Sequence, residues 1–198
     1  MIHFENVGKR YPAGREALSG VNFRLEKGEM AFLTGPSGAG KSTVLKLVSL
    51  IERPTRGTVL VGNQNTARIP RRRIPLFRRR IGIIFQDHKL LNDRTVFDNV
   101  ALPLMIASHR RRELERRVRA ALDQVGLLEY EKHSPLSLST GEQQRVGIAR
   151  AVASRPELVI ADEPTGNLDP ENAAEVIRHL AEFRRDGGTV VLVTHGTA

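Results

Sequence analysis

The sequence predicts an α/β protein with a mainly parallel sheet and a helical lobe inserted into it. Three observations point there. Short, nearly all-apolar strands alternate with helical segments, the pattern of a parallel sheet covered on both faces. One of those strands runs into a glycine-rich loop that opens a helix. Between about residues 87 and 155 the strand signal disappears and helical periodicity remains.

Taken in order, Ile2, Phe4 and Val7 roughly alternate, as do Val21, Phe23 and Leu25, and both sets read as short half-buried strands. Residues 30–34 form a compact apolar strand. From Ser42 the pattern turns helical, with Val44, Leu47, Val48 and Ile51 on one face, and Pro54 stops it. Residues 58–61, 81–85 (IGIIF), 158–161 and 190–193 are further strands. In the lobe, Ser108 caps a helix that carries Leu114, Val118, Ala121, Leu122 and Val125 and ends at Gly126. A second helix spans about residues 141–154. The chain is thus expected to be one domain, with residues 1–86 and 156–198 as the α/β core and 87–155 as the helical subdomain.

A chain of 198 residues is long enough to bury a core of its own. With 40% hydrophobic and 27% charged residues, wholesale disorder is excluded. The absence of cysteine excludes a disulfide scaffold, a thiolate zinc site and a cysteine nucleophile. No apolar run reaches the roughly 18 residues of a membrane span. The first residues lack the layout of a secretion signal, so a soluble, non-secreted chain is expected. Lys and Arg number 31 against 22 Asp and Glu, a net charge of +9, which calls for an acidic partner: nucleic acid, nucleotide or an anionic membrane face. Two arginine-rich stretches carry much of it, Arg71–Arg73 with Arg78–Arg80, and Arg110–Arg112 with Arg116, Arg117 and Arg119.

The glycine-rich loop is GPSGAGKS, residues 35–42, which fits G-x-x-x-x-G-K-S/T in the strand–loop–helix context that motif requires. Gly35, Gly38 and Gly40 let the backbone curl so that several N–H groups of the loop, with Ser37 and Ala39 among its binding positions, face an anion, and the helix that follows adds its positive end. Lys41 is placed to reach the β- and γ-phosphates of a nucleotide and the Ser42 hydroxyl to ligate Mg²⁺, with Thr43 beside them. A carboxylate at the end of a buried strand completes such a site. Asp162 closes the LVIAD strand and is assigned to Mg²⁺, and Glu163 sits where it polarises a water aimed at the γ-phosphate.

Residues 138–145, LSTGEQQR, resemble the signature of ABC ATPases, LSGGQ-x-x-R in its common form. Other family elements follow in family order: Tyr11 where an aromatic stacks on adenine, Gln86 after the IGIIF strand, the NLD of residues 167–169, and His195. The resemblance covers essentially the whole chain. It implies a P-loop (RecA-like) core with a small antiparallel β subdomain, ATP and Mg²⁺ as ligands, and a homodimer in the ATP-bound state. In that dimer Ser139 and the N–H of Gly141 close over the partner's ATP. Glu163 is implied as general base, His195 as a γ-phosphate contact, Gln86 as a further Mg²⁺ and water contact, and Asp169 as a link between the two sites. Residues 85–104 resemble the cell-division branch of the family. That implies an integral membrane partner (FtsX-like) and a peripheral place on the cytoplasmic face of the inner membrane. Leu90, Leu91, Val96, Phe97 and Val100 are then expected to line the groove that receives the partner, and the arginine clusters to face anionic lipid. A lipoprotein-release or macrolide-type exporter subunit shares all these motifs. A nucleic-acid ABC ATPase suits the charge but needs a long coiled-coil insertion that 198 residues do not hold.

Three departures from the pattern stand out. Thr140 takes the first glycine position of the signature and is tolerable only with negative φ. Glu142 replaces the common Gln, and Gly196 stands where an Asp usually follows the histidine. Relatives continue past the position of Ala198 with another helix and strand. Either this chain is shortened, or its last strand lies unsupported near the edge of the fold.

Overall fold

The computed structural model describes residues 1–12 and 14–194. Two four-stranded sheets form its frame. The first is antiparallel: β1 (Ile2–Arg10) lies between β2 (Glu16–Leu25) and β4 (Arg56–Val61), and β5 (Gln64–Asn65) closes the far edge. Ile2, Phe4 and Val7 are all buried although their spacing changes parity. A register shift between Phe4 and Val7, with Asn6 at φ 48°, returns Val7 to the core face.

The second sheet is parallel, in the order β3 (Met30–Thr34), β8 (Thr189–Thr194), β7 (Leu158–Asp162), β6 (Ile81–Ile84). Its apolar runs divide between two cores. Leu158, Ile160, Val191 and Val193 pack with the antiparallel sheet and with α1 (Lys41–Val48). Val159, Ala161, Val190 and Leu192 face the helices of the lobe. That two-sided burial is why these strands read as continuous apolar stretches.

An unsupported last strand near the edge, one of the two alternatives the sequence leaves open, is not found: β8 is paired on both sides, and the edge strand beside it is β3. As an edge strand β3 is not covered on both faces, and Phe32 is 58% exposed. The helix after the glycine-rich loop also ends earlier than its apolar spacing suggests. It stops at Val48, where Leu50 takes φ 54° and the N–H groups of Leu50 and Ile51 bond back to Leu47 O and Lys46 O. This is a left-handed helix stop made without glycine, tolerated because Leu50 is buried, and it turns Ile51 outward to 54% exposure.

The short α2 (Ile74–Arg78) precedes β6, and the lobe then consists of α3 (Val96–Ile106), α4 (Arg111–Gln124) and α5 (Thr140–Val152). A reciprocal capping box between Thr95 and Asp98 starts α3. Ser108 does not cap α4. It has φ 60°, its N–H bonds to Met105 O, and α4 starts at Arg111 behind an N-cap Arg110 that makes no side-chain bond. Val96 and Val100 do not line a surface groove either, since both are wholly buried under α4 and α5. Leu91 is exposed, with Leu90 and Phe97 half-buried beside it, and Met105 and Ile106 extend the apolar surface. α6 (Pro170–Arg185) packs between α5 and β8. Among the described residues no helix is long and apolar enough to cross a membrane.

Candidate nucleotide site

The glycine-rich loop leaves the carboxyl end of β3 and enters α1, so its N–H groups gather at one helix N-terminus. Gly35, Gly38 and Gly40 have φ of 147°, 82° and 94°. Gly40 is the most constrained, because a Cβ there would lie 2.5 Å from Ala17 O and 2.7 Å from Leu18 Cδ2. The loop therefore rests directly on β2, a contact the loop sequence does not announce. Lys41 is buried, and its Nζ donates to Gly35 O at 2.5 Å and to Pro36 O at 3.0 Å. The ammonium thus bridges two carbonyls of the loop itself. Ser42 is exposed at the mouth and Thr43 buried behind it.

Tyr11 stands beside this loop. Its hydroxyl donates to Glu52 Oε1 at 3.1 Å and lies 3.4 Å from Thr43 Oγ1, while Lys9 Nζ sits 5.2 Å from its ring centroid. Lys9 also pairs with Glu52 at 2.9 Å and holds that carboxyl below its ordinary range. Lys9 and Glu52 were not singled out in the sequence. They lie 43 positions apart, and no local pattern connects them.

The carboxylates arrive from the neighbouring strands. Asp162 ends β7 opposite Val193, and Val193 is paired on its other side with Leu33 of β3. Asp162 and the start of the glycine-rich loop thus share one end of the sheet, about two strand spacings, or ~10 Å, apart. Glu163 has φ 47°, a strained conformation for a side-chain-bearing residue, held by its N–H to Val193 O (3.0 Å) and by Gly166 N–H to its own carbonyl (3.1 Å). Gln86 leaves the adjacent strand, and a methyl on Gly166 would touch both Gln86 Nε2 (3.6 Å) and Glu163 Oε2 (3.7 Å). The two side chains therefore border the same point in space. His195 lies outside the described residues.

The LSTGEQQR segment starts α5 in a different part of the molecule. α1 packs on β4 and β7, whereas α5 packs on α3, α4, α6 and β6. Ser139 is the N-cap, its hydroxyl and N–H both donating to Glu142 Oε2 at 2.8 Å while Glu142 N–H returns a bond to Ser139 Oγ. This capping box gives Glu142 a physical reason to be there, and those bonds hold its carboxyl below the usual range. Thr140 follows in the first turn and is absent from the residues with positive φ, the condition a β-branched side chain requires. Asp169 caps α6 by accepting from the N–H groups of Asn172 and Glu171, and the bonds from the Asn172 backbone and side chain hold its carboxyl below the ordinary range.

An ABC transporter family model matches residues 18–166, from within β2 to just past the Asp162–Glu163 pair. The chain belongs to the ABC transporter family. Two curated relatives are named cell division ATP-binding protein FtsE. The one from Escherichia coli is 56% identical over 98% of this chain and 88% of its own length. The one from Bacillus subtilis is 46% identical over 98% and 86%. Among solved structures, a dimeric post-hydrolysis state of the ATP-binding cassette MJ0796 bound to ADP and phosphate superposes with a TM-score of 0.90. It shares 36% identity and is matched over 99% of this chain and 88% of that one. As an ABC ATPase the chain has the expected cassette architecture: parallel core sheet, antiparallel β subdomain and helical subdomain.

Proposed function

We propose that this ABC ATPase is the ATP-hydrolysing subunit of a membrane complex of the FtsE kind, and that it passes ATP-driven dimerisation to an FtsX-like membrane protein during cell division. The observation that carries the reading is the shared end of the parallel sheet, where the glycine-rich loop, Asp162, Glu163 and Gln86 open to one side. The relatives named FtsE, each matched over nearly the whole of this chain, favour it over an exporter subunit. The longest described helix is α6, which leaves no room among the described residues for the long coiled coil of a nucleic-acid ABC ATPase.

In this reading the N–H groups of residues 38–42 and the Lys41 ammonium grip the triphosphate, and Tyr11 stacks on adenine. Mg²⁺ fits the donor set. An ion that prefers phosphate oxygens and water needs few protein ligands, and the Ser42 hydroxyl, the Asp162 carboxylate and the Gln86 amide supply hard oxygens at that end of the sheet. When bound, it neutralises phosphate charge. Glu163 takes a proton from the attacking water as the water oxygen bonds to the γ-phosphorus, and the bridging oxygen leaves with ADP. Ser139 and the N–H of Gly141 lid the ATP of a second copy, for which the Ser139 hydroxyl exchanges its bond to Glu142 for one to the γ-phosphate. Asp169 faces the same interface, and His195 is assigned to the γ-phosphate.

The membrane side of the proposal rests on charge and apolar surface. In the second arginine cluster, Arg111 pairs with Glu115 at 2.9 Å, Arg116 and Arg117 share Glu113 at 2.8 and 2.6 Å, and Arg119 pairs with Glu131 at 3.0 Å. Four of that cluster's six arginines are thus paired, three with carboxylates on α4 and one with Glu131 beyond it. Arg71, Arg72 and Arg73 are exposed and form no ion pair among the described residues, so they are the group assigned to anionic lipid, at about 1 kcal/mol each. Leu91, Met105 and Ile106 offer the apolar surface for the membrane protein.

Glu163→Gln tests the core of this reading. It is expected to bind MgATP, to accumulate as a dimer in sizing experiments with MgATP, and to lose turnover by about 10²–10⁴-fold. Wild-type turnover in the variant would remove Glu163 as the base.

A further inference from the structure

Asn172 is the third residue of α6, and its side chain makes contacts that helix capping does not require. The cap is complete without it, since Asp169 Oδ1 already accepts from the backbone N–H groups of Glu171 (3.1 Å) and Asn172 (3.0 Å). The Asn172 carboxamide nonetheless uses both ends. Its Nδ2 donates to Asp169 Oδ2 at 2.6 Å, and its Oδ1 accepts from Arg145 Nη1 at 3.1 Å. Arg145 belongs to the LSTGEQQR segment and is pinned from its other side by Glu175, at 2.5 Å. The same carboxamide lies flat against Gly141, where a Cβ would come within 2.3 Å of Oδ1 and 2.5 Å of Cγ. Gly141 is not in a positive-φ conformation, so what demands glycine there is this close approach rather than backbone freedom.

We infer that Asn172 is a strut that locks the first turn of α5 to the Asp169 loop, so that the two surfaces presented to a second copy's nucleotide move as one body. Asn172 is a positioning residue in this scheme, and it touches no nucleotide. The inference rests on the ATP-lidded dimer proposed above. Without the strut, Arg145 keeps Glu175 and Asp169 keeps its cap, so each element survives. What is lost is their fixed separation, and each copy then spends part of its dimerisation free energy on ordering that edge.

The test uses the full chain carrying Glu163→Gln, with and without Asn172→Ala. MgATP affinity is measured by calorimetry on dilute protein, and ATP-driven dimerisation by sedimentation. The expected result is MgATP affinity within about twofold of the parent and dimerisation weakened roughly tenfold, the scale of one or two lost hydrogen bonds. A general packing defect would instead lower both together. Asn172→Asp is the companion variant: it keeps the acceptor for Arg145 but sets a carboxylate against Asp169, and it is expected to dimerise no better than the alanine variant. Dimerisation at parental strength in Asn172→Ala, or equal losses in both measurements, overturns the strut and leaves the dimer reading standing. A parent that stays monomeric with MgATP overturns both.

Discussion

Gly40→Ala isolates the cost of pressing the phosphate loop against β2. Two separate penalties apply. A residue with a Cβ at φ 94° pays about 1–2 kcal/mol for the left-handed backbone. The new methyl also meets Ala17 O at 2.5 Å and Leu18 Cδ2 at 2.7 Å, and the first of these is backbone that cannot rotate away. Overpacking of this kind costs about 1–3 kcal/mol. The total is about 2–5 kcal/mol, a large share of the ~5–15 kcal/mol that holds a domain folded. Gly126→Ala is the matched control, since Gly126 has φ 68° but nothing within 4 Å of a Cβ, so only the backbone penalty applies. Urea unfolding of both variants, beside the wild type, gives the difference directly. The expected result is a loss of about 1–2 kcal/mol for Gly126→Ala and a further ~1–3 kcal/mol for Gly40→Ala, with MgATP affinity reduced only in the latter. Equal losses in the two variants, or unchanged MgATP binding by Gly40→Ala, would refute the argument that contact with β2 sets the shape of the loop.

Two other measurements bear on the same site. Lys41→Ala removes the one ammonium that closes the cradle and is expected to weaken MgATP binding by about a hundredfold in calorimetry, the scale of lost bonds to a charged group; unchanged affinity would separate the loop from nucleotide. Glu52 has its folded pKa lowered, chiefly by Lys9, so the stability it contributes is fully present above its unfolded value near 4.3 and is lost as pH falls through the folded value below that. Comparing urea midpoints of wild type and Glu52→Gln should therefore show a gap that is constant from neutrality to about pH 5 and closes toward pH 3, and a gap that widened in acid would contradict the assigned pair.

The parts of the site that were legible in the sequence are those written in consecutive residues. GPSGAGKS, the Asp162–Glu163 pair and the signature each encode a local backbone shape, so a reading of neighbours reaches them. Sequence and structure part where a local rule has two solutions. Ser108 has the right chemistry for an N-cap, but its left-handed φ takes it out of the helix entry and leaves Arg110 there. The apolar spacing through Ile51 continues a helix that in fact ends at Val48, because the stop is made by a leucine and carries no glycine to announce it. Val96 and Val100 are buried by the lobe's own helices and not by a partner, since hydrophobicity says that a side chain is covered and not by what. Lys9, Glu52 and Asn172 were out of reach for a different reason: their partners are brought near only by the fold, across separations that no period spans.

The arrangement also gives the proposed ATP-lidded dimer a physical reason. The phosphate loop and carboxylates sit at one end of the parallel sheet, on strands whose register is fixed by interior pairing. The signature turn sits on a helix packed mainly against other helices and tied to α6 by side chains. A site split this way has one rigid half, set by backbone hydrogen bonds, and one half whose position depends on helix packing and a few polar contacts, which are softer. In the proposed dimer, binding energy from ATP is realised fully only when the soft half of one copy is brought up to the rigid half of another. On that reading hydrolysis removes the γ-phosphate that both halves grip, so the contact weakens at the point where the dimer was joined. In the proposed function a cycle of closing and release follows from where the two half-sites lie, and the exposed Leu91, Met105 and Ile106 of the helical lobe are the surface through which it is passed to the membrane partner.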